Sequence, residues 1–255
     1  MFKRLLPLAL AAVMATTAGC EFQVGDVQTL PTNVPTMKPG PNTGAPNAGD
    51  QPPAPAQSGQ PDPNTQFSDA DVTKEINDAI QVVDTYWSTH WSEFFTGTYS
   101  PPRVLGAYNG SDPNRFTCGG EIAEAFNAYY CNPEDYVAWD FQLMKTGYAQ
   151  GDAWIYLVIA HEWGHAIQNR LQTSLVAEAG ELQADCLAGA VLWGSQTDGT
   201  LTWEDGDTTE IGTALSAFGD NYPWTDPSAH GDAIERVTAF GQGREKGIRG
   251  CLAQS

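Results

Sequence analysis

His161, Glu162 and His165 interrupt a run, Ala153 to Ala160, in which every residue except Tyr156 is apolar. A helix of that composition is buried over most of its circumference. Burying three ionisable groups without partners is costly, and a metal ion satisfies all of them at once. His161 and His165 are four residues apart, so both imidazoles project from one helical face and can reach a single ion. Glu162 lies about 100° round the helix from His161. That puts its carboxylate beside the ion, where it can take a proton from a water held in the metal's open position.

Such a site needs a third protein ligand. The segment that follows offers Glu178, Glu181 and Asp185, spaced by three and four. On a helix that spacing places all three on roughly one face, and it does not choose among them. Leu182, Ala184, Cys186, Leu187, Ala190 and Val191 make the same segment largely apolar, so the acids are not simply a solvated stripe. Gly164, between the histidines, and Gly180, beside a candidate ligand, would let the two backbones approach closely.

The elements that must position these groups follow from periodicity. Ser68 is a good N-cap, and Val72, Ile76, Ile80, Val83 and Trp87 recur at helical spacing, which predicts a helix from Asp69 to Phe94. Pro101 and Pro102 break the chain before an extended run, Arg103 to Tyr108, and Asn109-Gly110 and Asp112-Pro113 mark turns. Ala125 to Cys131 and Tyr136 to Asp140 are short and aromatic-rich, which suits strands. Four more helices are expected, at Asp152 to Leu171, Ser174 to Trp193, Asp207 to Phe218 and Ala229 to Phe240. The fold class is therefore α+β, a small antiparallel or mixed sheet with a helical body carrying the His-Glu-x-x-His helix.

Core-forming and core-avoiding residues are segregated. All eight tryptophans fall at or after Trp87, whereas most of the seventeen prolines lie between Pro31 and Pro63. Residues 20–66 are thus expected to be a Pro/Gly/Asn-rich tether, reaching on the order of 40 Å as a flexible coil, ahead of one domain over 67–255. Residues 1–19 read as an export leader: Lys3 and Arg4 supply positive charge, Leu5 to Ala15 an apolar stretch, and Thr17, Ala18 and Gly19 a small-residue end. Cys20 directly after Ala-Gly resembles the lipobox of bacterial lipoproteins, which implies a lipidated Cys20 and a membrane anchor on the extracytoplasmic side. Cys118, Cys131, Cys186 and Cys251 remain, an even number that in an exported chain reads as two disulfides. Three pairings are open, and Cys118 with Cys131 and Cys186 with Cys251 is the expected one. The net charge of −19 and the absence of a basic cluster argue against nucleic acid as a partner.

The residues now assembled resemble the bacterial neutral zinc metallopeptidases, a gluzincin-like group of zincins with His-Glu-x-x-His and Glu-x-x-x-Asp motifs. The segments that carry the resemblance are His161 to Gln168, Glu181 to Gly189, His230-Gly231 followed by Arg236, Phe240 and Gly243, and the Cys-containing run Tyr129 to Asp140. It covers Trp87 to Cys251. The resemblance implies one Zn²⁺ held by His161, His165 and Glu181, with Asp185 accepting a hydrogen bond from a ligand histidine; Glu178 is the rival third ligand. It implies hydrolysis of a peptide or protein substrate, with Glu162 as general base. His230 is a candidate donor to the oxyanion, with Tyr222 and Arg236 as alternatives. Tyr136 to Asp140 is expected to form the cleft edge and pair with an extended peptide. His90, beside Trp91, is expected to be a surface or boundary residue. Two other readings are a zincin-fold lipoprotein that binds or scaffolds without turnover, and a metal-free core helix in an unrelated lipoprotein. The intact Glu162 argues against the first, since binding zinc does not require it.

Overall fold

The computed structural model of the chain describes residues 67–220 and 230–253. The expected leader, Cys20, the tether and Tyr222 lie outside the described residues. The described chain runs α1 (Asp69–Phe94), β1 (Arg103–Tyr108), β2 (Thr117–Cys118), β3 (Glu121–Ile122), β4 (Ala128–Cys131), β5 (Tyr136–Asp140), α2 (Phe141–Tyr148), α3 (Ala153–Gln168), α4 (Gly180–Thr197), α5 (Asp207–Phe218) and α6 (Ala233–Gly250). It is an α+β fold with six helices, a mixed three-stranded sheet ordered β1-β5-β4 and a small β2-β3 hairpin among the described residues.

Local chemistry explains the bounds that match expectation. Ser68 and Asp71 form a capping box that starts α1, with Val72, Ile76, Val83 and Trp87 buried along one face. α3 is buried through nearly its whole length, as its largely apolar composition requires, and His161, Glu162 and His165 are buried with it. It runs through the centre of the domain, packed against α1, α4 and α5, with β4 also against it. α6 lies along α4, and the crossing depends on Gly189 and Gly243, where any Cβ would strike the carbonyls of Phe240 and Cys186 respectively.

Several expected bounds are corrected. The segment read as one helix from Ser174 is a 3-10 turn, Thr173–Leu175, then a loop, with α4 beginning only at Gly180. Side chains hold that loop open: Gln183 accepts from the N–H of Ala177 and donates to the carbonyl of Leu175. The strand expected from Ala125 begins at Ala128, because Phe126 sits at φ 60°, in the left-handed region. The last helix starts at Ala233, where Asp232 and Glu235 form a capping box, and continues past Phe240 to Gly250. α2 was not expected; Asp140 caps it by accepting from the N–H of Gln142.

The strand expected to line the cleft is also corrected. Tyr136 to Asp140 is the central strand, paired in parallel with β1 on one side and antiparallel with β4 on the other. Both its backbone edges are occupied, so it has none to offer a peptide. The edge facing α3 belongs to β4.

Both expected disulfides are present, Cys118–Cys131 and Cys186–Cys251. The first ties the β2-β3 hairpin to β4, and the second ties α4 to the end of α6.

Candidate metal centre

α3 and α4 build the centre between them. They approach closely at Gly164, where a Cβ would stand 3.0 Å from both the Cα and the carbonyl oxygen of Ala184. Gly180 plays no such part: a Cβ there would approach only the side-chain nitrogen of Gln168, at 4.0 Å. The close crossing brings Glu181, in the first turn of α4, over the two histidines of α3. His161 Nε2 and His165 Nε2 are 3.2 Å apart. Glu181 lies 3.3 Å from each, Oε2 from His161 and Oε1 from His165. A tetrahedral ion with bonds of about 2.0–2.1 Å spaces its ligand atoms about 3.3 Å apart, so the three groups fit zinc in number, chemistry and spacing. Glu178 is exposed in the loop before α4, outside this triad.

The electrostatics of the triad are those of a cation site. Burial disfavours charge on Glu181, yet the two imidazoles beside it hold its carboxyl well below the usual range. Burial likewise opposes charge on His165, and Glu181 outweighs it, raising the imidazole above its ordinary value. The carboxylate and the ring nitrogens thus compete for a proton where an ion would satisfy all three.

Behind His161 stands a buried ion pair. His161 Nδ1 is 2.8 Å from Asp185 Oδ1, and Arg236 grips Asp185 with two bonds, Nε to Oδ2 and Nη2 to Oδ1, each 2.8 Å. Arg236 also donates from Nη1 to the carbonyl of Phe218. Burial raises the Asp185 carboxyl, but Arg236 and His161 together lower it below its ordinary value. Arg236, an alternative oxyanion donor in the sequence reading, is instead committed to Asp185. Behind His165 the arrangement is neutral: Nδ1 is 2.9 Å from Gln168 Oε1.

Glu162 occupies the side of α3 that faces the sheet. Its carboxylate accepts a hydrogen bond from the backbone N–H of Tyr130, while Oε2 is buried with no hydrogen-bond partner among the described residues. Burial pushes this carboxyl up from its ordinary value, and His161 and His165 pull against that. Ala128 of β4 lines a small, mostly apolar cavity together with Glu162, His161, Val158 and Phe218.

His230 lies just before α6. Its backbone N–H donates to Asp220 Oδ2 at 2.8 Å, and its ring Nδ1 is 3.5 Å from the same oxygen. It is not among the residues that line the cavity. His90 lies far along α1, half-buried between Glu93 and Asp198.

Sequence reasoning assigned no role to Gln168 or Tyr130 and missed the partnership of Arg236 with Asp185. For Gln168 a signal was present, since it follows His165 by three and shares its helical face. The other two join elements distant in sequence and left no such trace.

Over residues 42–251 the sequence matches the family described as "Putative neutral zinc metallopeptidase", and the chain belongs to that family. The match begins ahead of α1, inside the proline-rich segment. No curated protein and no solved structure matches the chain.

Proposed function

We propose that the protein is a zinc-dependent peptidase of the zincin type in which His161, His165 and Glu181 hold one Zn²⁺ and Glu162 is the general base. The observation that carries this reading is the triad itself, three ligand side chains whose facing atoms stand 3.2 to 3.3 Å apart, with the buried Glu162 carboxylate beside them on α3. When bound, zinc polarises the scissile carbonyl and makes the attacking water more acidic. Asp185 accepts from His161 Nδ1–H, which keeps Nε2 free as a ligand and the ring fixed. Glu162 takes the proton of the attacking water on Oε2 and returns it to the leaving amine. Its elevated proton affinity, caused by burial, suits a group that must hold the proton between the two steps.

The edge of β4 that does not pair with β5 is the element for binding an extended peptide. Asp140 N–H bonds to Asn127 O, so by alternation the backbone groups of Ala128 and Tyr130 turn away from β5; their N–H groups are taken by Asn127 Oδ1 and Glu162, and their carbonyls are what this edge offers a peptide. His230, anchored to Asp220, is assigned as donor to the oxyanion. The reading also includes export and a lipid anchor at Cys20, with residues 20–66 as tether; the two disulfides support an oxidising compartment.

The test is hydrolysis of an unfolded protein substrate by the zinc-loaded full chain, wild type against Glu162→Gln. The expected loss is about 100- to 10,000-fold at unchanged zinc content. Unchanged hydrolysis would sink the mechanism. Zinc bound stoichiometrically by a wild type that cleaves nothing would favour the binding or scaffolding alternative.

A further inference from the structure

His161 and His165 face the same ion but are backed by unlike groups, and the neutral one is the end of a longer chain of contacts. Gln183, buried on α4, donates from Nε2 to two backbone carbonyls, Leu175 at 2.8 Å and Cys251 at 2.9 Å. Its Oε1 accepts from the N–H of Ala177 at 3.0 Å and faces Gln168 Nε2 at 3.2 Å. Gln168 Nε2 in turn donates to the carbonyl of Gly180 at 2.6 Å, and its Oε1 stands 2.9 Å from His165 Nδ1.

Each step of this chain is forced by the step before. Backbone carbonyls only accept, a carboxamide nitrogen only donates and its oxygen only accepts. The carbonyls of Leu175 and Cys251 therefore fix which way the Gln183 amide points. The carbonyl of Gly180 and the oxygen of Gln183 fix Gln168 the same way. An oxygen that can only accept is left against His165 Nδ1, so that nitrogen must carry the proton, and in the neutral imidazole Nε2 presents its lone pair.

We infer that Gln168, oriented by Gln183, is a positioning residue that locks His165 in the Nδ1–H tautomer and holds Glu181 to the same register. The second half follows from Gly180, whose carbonyl Gln168 grips and whose next neighbour is Glu181. One amide thus sets the orientation of a ligand on α3 and the start of the helix that supplies another. No ionised side chain does both, because a carboxylate would repel the Gly180 carbonyl and a cation would leave Nδ1–H without an acceptor. The inference rests on the proposed ligand set.

The experiment measures zinc affinity of the full chain by competition with a chromophoric chelator, and the visible spectrum of the cobalt-loaded protein, for wild type, Gln168→Met, Gln168→Glu and His165→Ala. Gln168→Met keeps the length of the side chain and removes all three polar contacts; its zinc Kd is expected to rise about 10- to 100-fold with an altered cobalt spectrum. Gln168→Glu keeps an acceptor for Nδ1–H and is expected to recover part of that loss. Wild-type affinity and an unchanged spectrum in Gln168→Met, or no recovery in Gln168→Glu, overturns the inference. If Gln168→Met does not fold, nitrogen-detected NMR of the zinc-loaded wild type decides. A His165 Nδ1–H protected from solvent exchange supports the assignment, and one exchanging like an exposed imidazole overturns it. His165→Ala separates the two levels: if it binds zinc as tightly as wild type, the ligand set is wrong. If it loses zinc while Gln168→Met does not, only the positioning role fails.

Discussion

At the C-terminal half of α3, His161, Asp185 and Arg236 form a buried set in which one carboxylate stands between an imidazole and a guanidinium, whereas at its N-terminal end Asp152, Asp207 and Glu210 gather with carboxylate oxygens within reach of one another, and Glu75 lines the cavity beside them. The consequences for proton affinity are opposite. Asp185, though fully buried, is held below its ordinary value by Arg236. Glu75 and Glu210 are partly buried and Asp207 is buried, and burial raises all three, with nearby acids adding to it. The helix N-terminus tolerates the acidic end: Glu210 Oε2 accepts from the N–H of Ala153, satisfying a donor that the helix itself leaves free. A candidate metal centre and a helix cap both collect carboxylates here. What separates them is whether counter-charge and imidazoles are brought to the same place.

The largest expected effect breaks the paired end. Arg236→Met leaves Asp185 buried without its counter-charge and should cost about 3–5 kcal/mol of stability. Urea unfolding of the metal-free protein checks it. A loss no larger than that of Gln168→Met, about 1–2 kcal/mol for neutral hydrogen bonds, would show that the ion pair and the amide support are equivalent after all.

The disulfides sharpen the same contrast, since Cys186 follows Asp185 and Cys131 follows Tyr130. The Cys186–Cys251 loop spans 65 residues against 13 for Cys118–Cys131. By chain entropy, removing the first pair should cost about 4 kcal/mol and the second about 3 kcal/mol. Thermal unfolding of the two double-alanine variants gives the order, and a reversal would mean that the hairpin bridge matters beyond closing its loop.

Gly164→Ala should cost about 1–3 kcal/mol, because the new Cβ meets backbone on Ala184 that cannot turn aside. It should also weaken zinc binding by forcing α4, and Glu181 with it, away from the histidines. A variant that loses stability and keeps full zinc affinity would show that the triad tolerates a wider helix separation.

The smallest effect lies at the acidic end. A carboxyl raised by folding stabilises the fold below its unfolded value and loses that contribution as pH rises through the folded one. Glu75→Gln should therefore leave stability near pH 4 almost unchanged and raise it slightly at neutral pH. Unfolding curves at the two pH values test this, and a neutral-pH loss would mean that Glu75 is held by something favourable.

Much of this was legible because it is written in short periods. α1, β1, β5 and α5 have the bounds that capping residues, proline breaks and alternation imply, since those signals act within a few residues of where they stand. Errors came where a local preference met a distant partner. Apolar spacing made Ser174 onward look helical, but Gln183 captures the backbone of Leu175 and Ala177 before a helix can form. That single change carries Glu178 out of the helix. β5 reads like an edge strand because strand sequence says nothing about neighbours, and only pairing with both β1 and β4 makes it central.

By itself the sequence determined that two imidazoles and a carboxylate share one buried helix, because a spacing of four on a helix is a fixed geometry. It also supplied three candidate acids for a third ligand, and their spacing did not rank them. Tertiary structure decided that Glu181 is the acid standing over the histidines, that Arg236 backs His161 through Asp185, and that a relay of amides backs His165. The reason is physical: each of those choices depends on the separation and phase of α4 and α6 against α3. That geometry is set by glycine contacts and a disulfide that join residues far apart in the chain.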